Sequence, residues 1–167
     1  MQNDFIDGSL GTAEAVKIVE NVKKKIAQYP PDCVYATMDT HDENYMQTQE
    51  GRNLPVEHCI KGSDGWKIRS DIDEMLTKAK KYEKPVFGSI ALAEDLQKIS
   101  MKEDIEIELV GLCTDICVVS NAILFKALMP EVKVSADASC CAGVTPESHA
   151  AALKTMQMCQ VNVTGIE

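Results

Sequence analysis

The sequence predicts an α/β domain with a mainly parallel central sheet, flanked by helices in a three-layer α/β/α arrangement. Short apolar, β-branched runs alternate with amphipathic stretches of helical length along most of the chain, and helix-start and helix-stop residues fall at the junctions. No internal repeat, low-complexity tract or linker interrupts the alternation, so residues 1–167 are read as one domain.

Residues 12–28 place Ala15, Val19, Val22 and Ile26 at helical spacing between Lys and Glu, and Pro30 and Pro31 end the segment. A helix is expected there. CVYATMD (33–39) follows as a short strand, and residues 40–70 form a long irregular stretch rich in Gly, Asn and Asp. A loop of that length inside a compact domain is usually functional. DIDEMLTKAKKYE (71–83) reads as a helix, KPVFGS (84–89) as a short strand closing on Gly88, and ALAEDLQKIS (91–100) as a helix. IEIELVGL (105–112) is a buried strand and CVVSNAILFKALM (117–129) a helix. EVKVSAD (131–137) is a strand, TPESHAAALKTMQM (145–158) a helix with Thr145 as N-cap, and CQVNVTG (159–165) the last of five visible strands.

Composition narrows the function classes. With 17 basic against 26 acidic residues the net charge is −9, which argues against nucleic acid and for a small, uncharged or metal-held ligand. The apolar runs are broken by charges within about ten residues, short of the roughly 20 that a membrane-spanning helix needs. Seven cysteines, an odd number set mostly in apolar segments with no leader peptide ahead of them, point to a reducing, cytoplasmic setting.

In parallel α/β sheets ligands bind beyond the carboxyl ends of the strands, so residues just past strand ends are the first candidates. Cys117 follows the strand 105–112 and a tight turn, at what reads as the first turn of a helix, where a thiolate is favoured. The plain alternative is a buried structural cysteine. Thr114 and Asp115 just before it, and the ligand-type cluster elsewhere, favour a nucleophile. The backbone amides of Cys113 and Cys117 could together form an oxyanion hole. Lys84, near a strand end, could stabilise a thiolate or an oxyanion, although most lysines in such places are solvated flanks.

Asp39 and His41 lie two apart at a strand end and point the same way in extended backbone, and Glu50 and His58 follow at loop spacing. Two imidazoles with two carboxylates suit zinc, iron or manganese. His149 stands on a helix without a partner in sequence and is taken as surface. The adjacent Cys140 and Cys141 are read as two small buried residues, since neighbours in sequence bridge only through a strained ring.

These segments together resemble the isochorismatase-like cysteine hydrolases, and among them the nicotinamidase and pyrazinamidase branch. The resemblance runs through MQNDFIDGSLG (1–11), MDTH (38–41), LPVEHC (54–59), KPVFGS (84–89), GLCTDICV (111–118) and DASCCAGVTPESH (137–149), of which the first and the fifth are the most specific. It implies that Cys117 is the nucleophile, that Lys84 is the basic member of an Asp, Lys and Cys triad, and that Leu112 and Cys113 are joined by a cis peptide. It also implies that Asp39, His41 and His58 bind metal, zinc first, with Glu50 in place of a third histidine. Phe5 would flank the substrate ring, while Leu54 and Pro55 stand where the branch has an opposing aromatic. The implied activity is hydrolysis of a small cyclic or aromatic amide to acid and ammonia through a thioester, in a homo-oligomer without nucleic-acid or membrane partners.

The same resemblance places the triad aspartate, and a further central strand, immediately ahead of Met1, and Asp4 is four residues too late to replace it. The expectation is therefore an upstream apolar run ending in Asp. Two alternatives accompany it: an isochorismatase-like hydrolase of another small substrate, and a catalytically silent metal- or ligand-binding relative.

Overall fold

Five parallel strands carry the architecture: β1 (Tyr35–Asp39), β2 (Lys80–Lys84), β3 (Glu106–Leu112), β4 (Lys133–Ala142) and β5 (Asn162–Thr164). The computed structural model describes residues 1–166. Four helices of ten or more residues pack around the strands: α1 (Ala13–Ile26), α2 (Ile90–Ser100), α3 (Val119–Leu128) and α4 (Pro146–Met158). Among the described residues, β1 pairs with β2, and β3, β4 and β5 form a second hydrogen-bonded group in that order. The α/β class is as expected, with parallel strands between helical layers.

The largest core lies on one side of the strands, where Phe125, Ala122, Leu153 and Met156 of α3 and α4 meet Val134 and Ala136 of β4. On the other side, Ile18 and Val22 of α1 pack on Cys140 and Ala142, and Val19 joins Ile6, Met38 and Ile72. One strand thus feeds both cores. The register explains how: Leu109 is paired with Ala136 but Gly111 with Cys141, so β4 bulges and its alternation changes phase. Val134, Ala136 and Ala138 face the larger core, and past the bulge Cys140 and Ala142 face α1. Cys140 and Cys141 therefore point to opposite faces, and all seven cysteines are free.

Local chemistry sets most boundaries as expected. Thr12 caps α1 by accepting the Ala15 amide, Ser89 caps α2, and Thr145 and Ser148 form a reciprocal capping box at α4. Two expectations fail in one place. Residues 71–83 do not form a helix and residues 84–89 do not form a strand: Ser70–Asp73 and Glu74–Leu76 make only short helical turns, and β2 occupies Lys80–Lys84. The cause is tertiary. Tyr82 is needed in the larger core and Lys84 beside Asp39, so pairing with β1 overrides the helical propensity of the lysine-rich segment. Val86 and Phe87 then fall in an exposed connection rather than a strand.

A polar clamp holds α1 to the bulge. Lys25 Nζ lies 2.8 Å from Asp137 Oδ2 and 3.2 Å from Glu108, and the Tyr29 hydroxyl donates to Glu108 at 2.7 Å. Burial works against the charged form of Asp137, but hydrogen bonds from Lys25 and Ser139 outweigh it and hold the carboxyl below its usual range. A depressed carboxyl contributes stability that is full above its unfolded value of about 3.9 and is lost as pH falls through the folded value. Lys25→Met should cost about 2 kcal/mol at pH 7 in urea denaturation. The gap between variant and wild type should narrow below about pH 4 as Asp137 protonates; an equal gap from pH 7 to pH 2 would contradict this account.

Candidate active site

The parallel register of β1 and β2 sets Asp39 directly beside Lys84, the last residue of each strand. Partner residues in a parallel pair point to the same face, so carboxylate and ammonium meet. Lys84 Nζ donates to Asp39 Oδ1 at 3.1 Å and lies 3.3 Å from Cys117 Sγ. All three groups are buried, with Lys84 only 4% exposed. Burial opposes the charge on Lys84, but Cys117 and Asp39 outweigh it and the ammonium is retained well into the alkaline range.

Cys117 reaches this point through an unusual local path. Gly111 at the end of β3 takes φ of 109°, a conformation that favours glycine, and the next peptide, Leu112–Cys113, is cis. Thr114–Val118 then form a π-helical turn that runs into α3. The expectation that the helix start favours the thiolate is corrected by the surroundings. Burial pushes the Cys117 thiol up, Lys84 pulls against it, and the negative charge of Asp39 adds to the rise.

The second carboxylate oxygen of Asp39 faces away from Lys84. Oδ2 lies 3.2 Å from His41 Nε2 and 3.5 Å from His58 Nε2, and Glu50 Oε1 is 3.9 and 3.8 Å from the same two nitrogens. One ligand atom from each of these four residues lies within 4.8 Å of all the others. The His58 Nδ1–H donates to the Val56 carbonyl at 2.9 Å, which leaves Nε2 free to bind a cation. Oxygen and imidazole donors converging on one point, with the tautomer set from behind, fit a divalent metal. For Asp39, burial acts to raise the carboxyl, but His58, Lys84 and His41 prevail and keep it low; burial acts to lower His58, but Asp39 and Val56 raise it.

Several residues that sequence reasoning did not single out support this arrangement. Tyr45 is fully buried with its ring 4.8 Å from that of His41 and 5.0 Å from that of His58, and its hydroxyl donates to the Leu54 carbonyl. Gly51 allows the short helix carrying Glu50 to approach, because a Cβ there would clash with the Tyr45 carbonyl oxygen. The Gln2 side-chain amide exchanges two hydrogen bonds of 2.7 Å with the backbone of Asp39 and so fixes the end of β1. Asp4 is engaged elsewhere, accepting the Cys59 amide at 2.7 Å. Asn121, one turn after Cys117, donates to the Cys117 and Phe87 carbonyls and accepts the Ser89 amide. A buried Asn on an apolar helix at that spacing was the available signal.

His149 is not a free surface residue. It is half-buried, with Nδ1 2.8 Å from the hydroxyl of fully buried Thr114, while neighbouring Ser148 donates to Asp115. The start of α4 thus braces the turn that carries Cys117.

These groups open to one cavity of about 550 Å³, whose walls include Phe5, Leu54, Phe87 and Ile116 and whose floor holds Asp39, His58 and Cys117. Phe5 packs edge-on to His58 at 5.6 Å. Leu54 leaves one wall aliphatic, as expected, and Phe87 supplies an aromatic from the connection after β2.

A parallel α/β fold with a thiol, a lysine and a metal-type cluster at its strand ends defines a hydrolase of the isochorismatase-like class. The Isochorismatase domain model matches residues 1–167, and the chain belongs to that family. It is 29% identical over 133 residues to an uncharacterised isochorismatase family protein of Bacillus subtilis, covering 72% of each chain. Its fold is similar to the zinc complex of the Pyrococcus horikoshii pyrazinamidase, with a TM-score of 0.80 at 23% identity over 99% of this chain and 95% of that one. The Streptococcus mutans pyrazinamidase/nicotinamidase gives 0.79 at 23% identity over 97% and 94%. Among the described residues no helix is long and apolar enough to cross a membrane.

Purified protein should carry about one divalent ion per chain by elemental analysis. Loss of one ligand in His58→Ala should weaken binding at least about 100-fold in a chelator competition; wild-type metal content in that variant would remove His58 from the cluster.

Proposed function

We propose that the protein is a cysteine amidohydrolase that converts a small cyclic or aromatic carboxamide, nicotinamide or pyrazinamide first, to the acid and ammonia. The observation that carries this reading is the single carboxylate of Asp39, which meets Lys84, itself against Cys117, with one oxygen and the metal-type cluster with the other. The similar solved structures are pyrazinamidases and nicotinamidases, which supports the substrate class.

The Cys117 sulfur attacks the carboxamide carbon and gives up its proton, and the backbone amides of Cys113 and Cys117 receive the developing oxyanion. Lys84 lies between Sγ and Asp39 Oδ1, so Nζ can take the thiol proton as it passes one of its own to the carboxylate. Asp39 is the carboxylate within reach of Lys84 among the described residues. The proton returns to the amide nitrogen, the C–N bond breaks, ammonia leaves and a thioester remains. Water then cleaves the thioester, giving the acid and restoring the thiol. Asp39, His41, Glu50 and His58 would hold the divalent ion, zinc by the match of donors, which supplies Lewis-acid polarisation beside the thiol. Phe5 and Phe87 would hold the ring in the cavity.

Ammonia release from nicotinamide and pyrazinamide tests the proposal. Cys117→Ala should lower kcat/KM by about 1,000-fold or more, and Lys84→Met by about 100-fold or more. Turnover that persists in Cys117→Ala would overturn the mechanism, and no ammonia from nicotinamide, pyrazinamide or their ring-substituted analogues with metal-loaded wild type would overturn the substrate class.

A further inference from the structure

Beside the main cavity lies a second, partly open one of about 200 Å³, lined in part by Leu10, Ala15, Leu112, Ile116 and Val144. The two share walls: Phe5, Leu10, Leu54, Cys113 and Ile116 line both. No titratable side chain other than the Cys113 thiol borders the smaller chamber, and the Thr12 hydroxyl at its edge is engaged as the α1 cap, accepting the Ala15 amide at 3.0 Å. Such a space holds water poorly, since an ordered water needs two to four polar partners, whereas dry aliphatic cavities of about 150 Å³ take up benzene. An apolar hollow that shares walls with the main cavity and borders the residue whose amide is assigned to the oxyanion is therefore suited to an apolar part of a ligand.

We propose that this chamber is a specificity subsite for an apolar substituent on the substrate ring, so that the preferred substrates are alkyl- or aryl-substituted cyclic carboxamides rather than the bare ring. The turnover arm rests on the amidohydrolase reading; the binding arm does not. Val144 controls the subsite without bordering the main cavity: it is 49% exposed, and its backbone amide, which a substitution retains, is what bonds Asp115. A larger side chain there can fill the chamber from its rim.

The test compares nicotinamide with its ring-methylated derivatives in wild type and in Val144→Trp. It also measures binding of nicotinate and the ring-methylated nicotinates to Cys117→Ala by calorimetry. In wild type, at least one methylated amide should exceed nicotinamide in kcat/KM by about tenfold or more, the range one methyl group commands in an apolar pocket. That ratio should fall toward one in Val144→Trp, and Cys117→Ala should bind the matching methylated acid about tenfold more tightly than nicotinate. Equal kcat/KM and equal affinity across the series would overturn the subsite, as would a preference unchanged in Val144→Trp. Tighter binding of a methylated acid together with no ammonia from any amide would keep the subsite and reject the amidohydrolase reading.

Discussion

The buried contact between Asp39 and Lys84 is the constraint around which the rest of the site is arranged. Two opposite charges removed from water are tolerable only when each is fully partnered, because desolvation costs several kcal/mol per ion. Here the partners are the site itself. Lys84 divides its hydrogen bonds between Asp39 and Cys117, and Asp39 divides its oxygens between Lys84 and the two imidazoles. The thiol and the cation cluster are thereby coupled through one carboxylate. A change on either side alters the charge balance on the other.

The scaffold exists to hold that carboxylate in register. Pairing of β1 with β2 aligns Asp39 with Lys84, and the Gln2 side chain closes on the Asp39 backbone from the opposite edge. The third member arrives from the other group of strands. Gly111, the Leu112–Cys113 peptide and the π-helical turn bring Cys117 to Lys84, while Thr114 and Asp115 are held by His149 and Ser148 at the start of α4. The bulge that changes the phase of β4 serves packing, since it lets one strand fill both cores. It also places Asp137 where Lys25 can reach it.

Much of the chemistry was legible because it lies at junctions. Thr145, Cys117 and Asp39 sit where a strand or helix begins or ends, and such boundaries are marked by local residue chemistry. The reading went wrong between residues 71 and 89, where lysines and glutamates satisfy a helical pattern equally well. The need to bury Tyr82 and to place Lys84 beside Asp39 selected the strand. His149 was misplaced for a related reason, since its partner Thr114 is 35 residues away and buried contacts at that separation leave no periodic mark.

The sequence by itself determined the alternation of strands and helices, the caps, the candidate nucleophile and the four candidate metal ligands, because residue type and local spacing carry that information. Only the tertiary structure decided that Asp39 serves both Lys84 and the histidines, that the Cys117 thiol is raised rather than lowered, and that a small apolar hollow borders Cys113 beside the main cavity. Each of those depends on distance and burial among residues remote in the chain. Electrostatics and cavities are properties of packed space, and spacing along a sequence does not encode them.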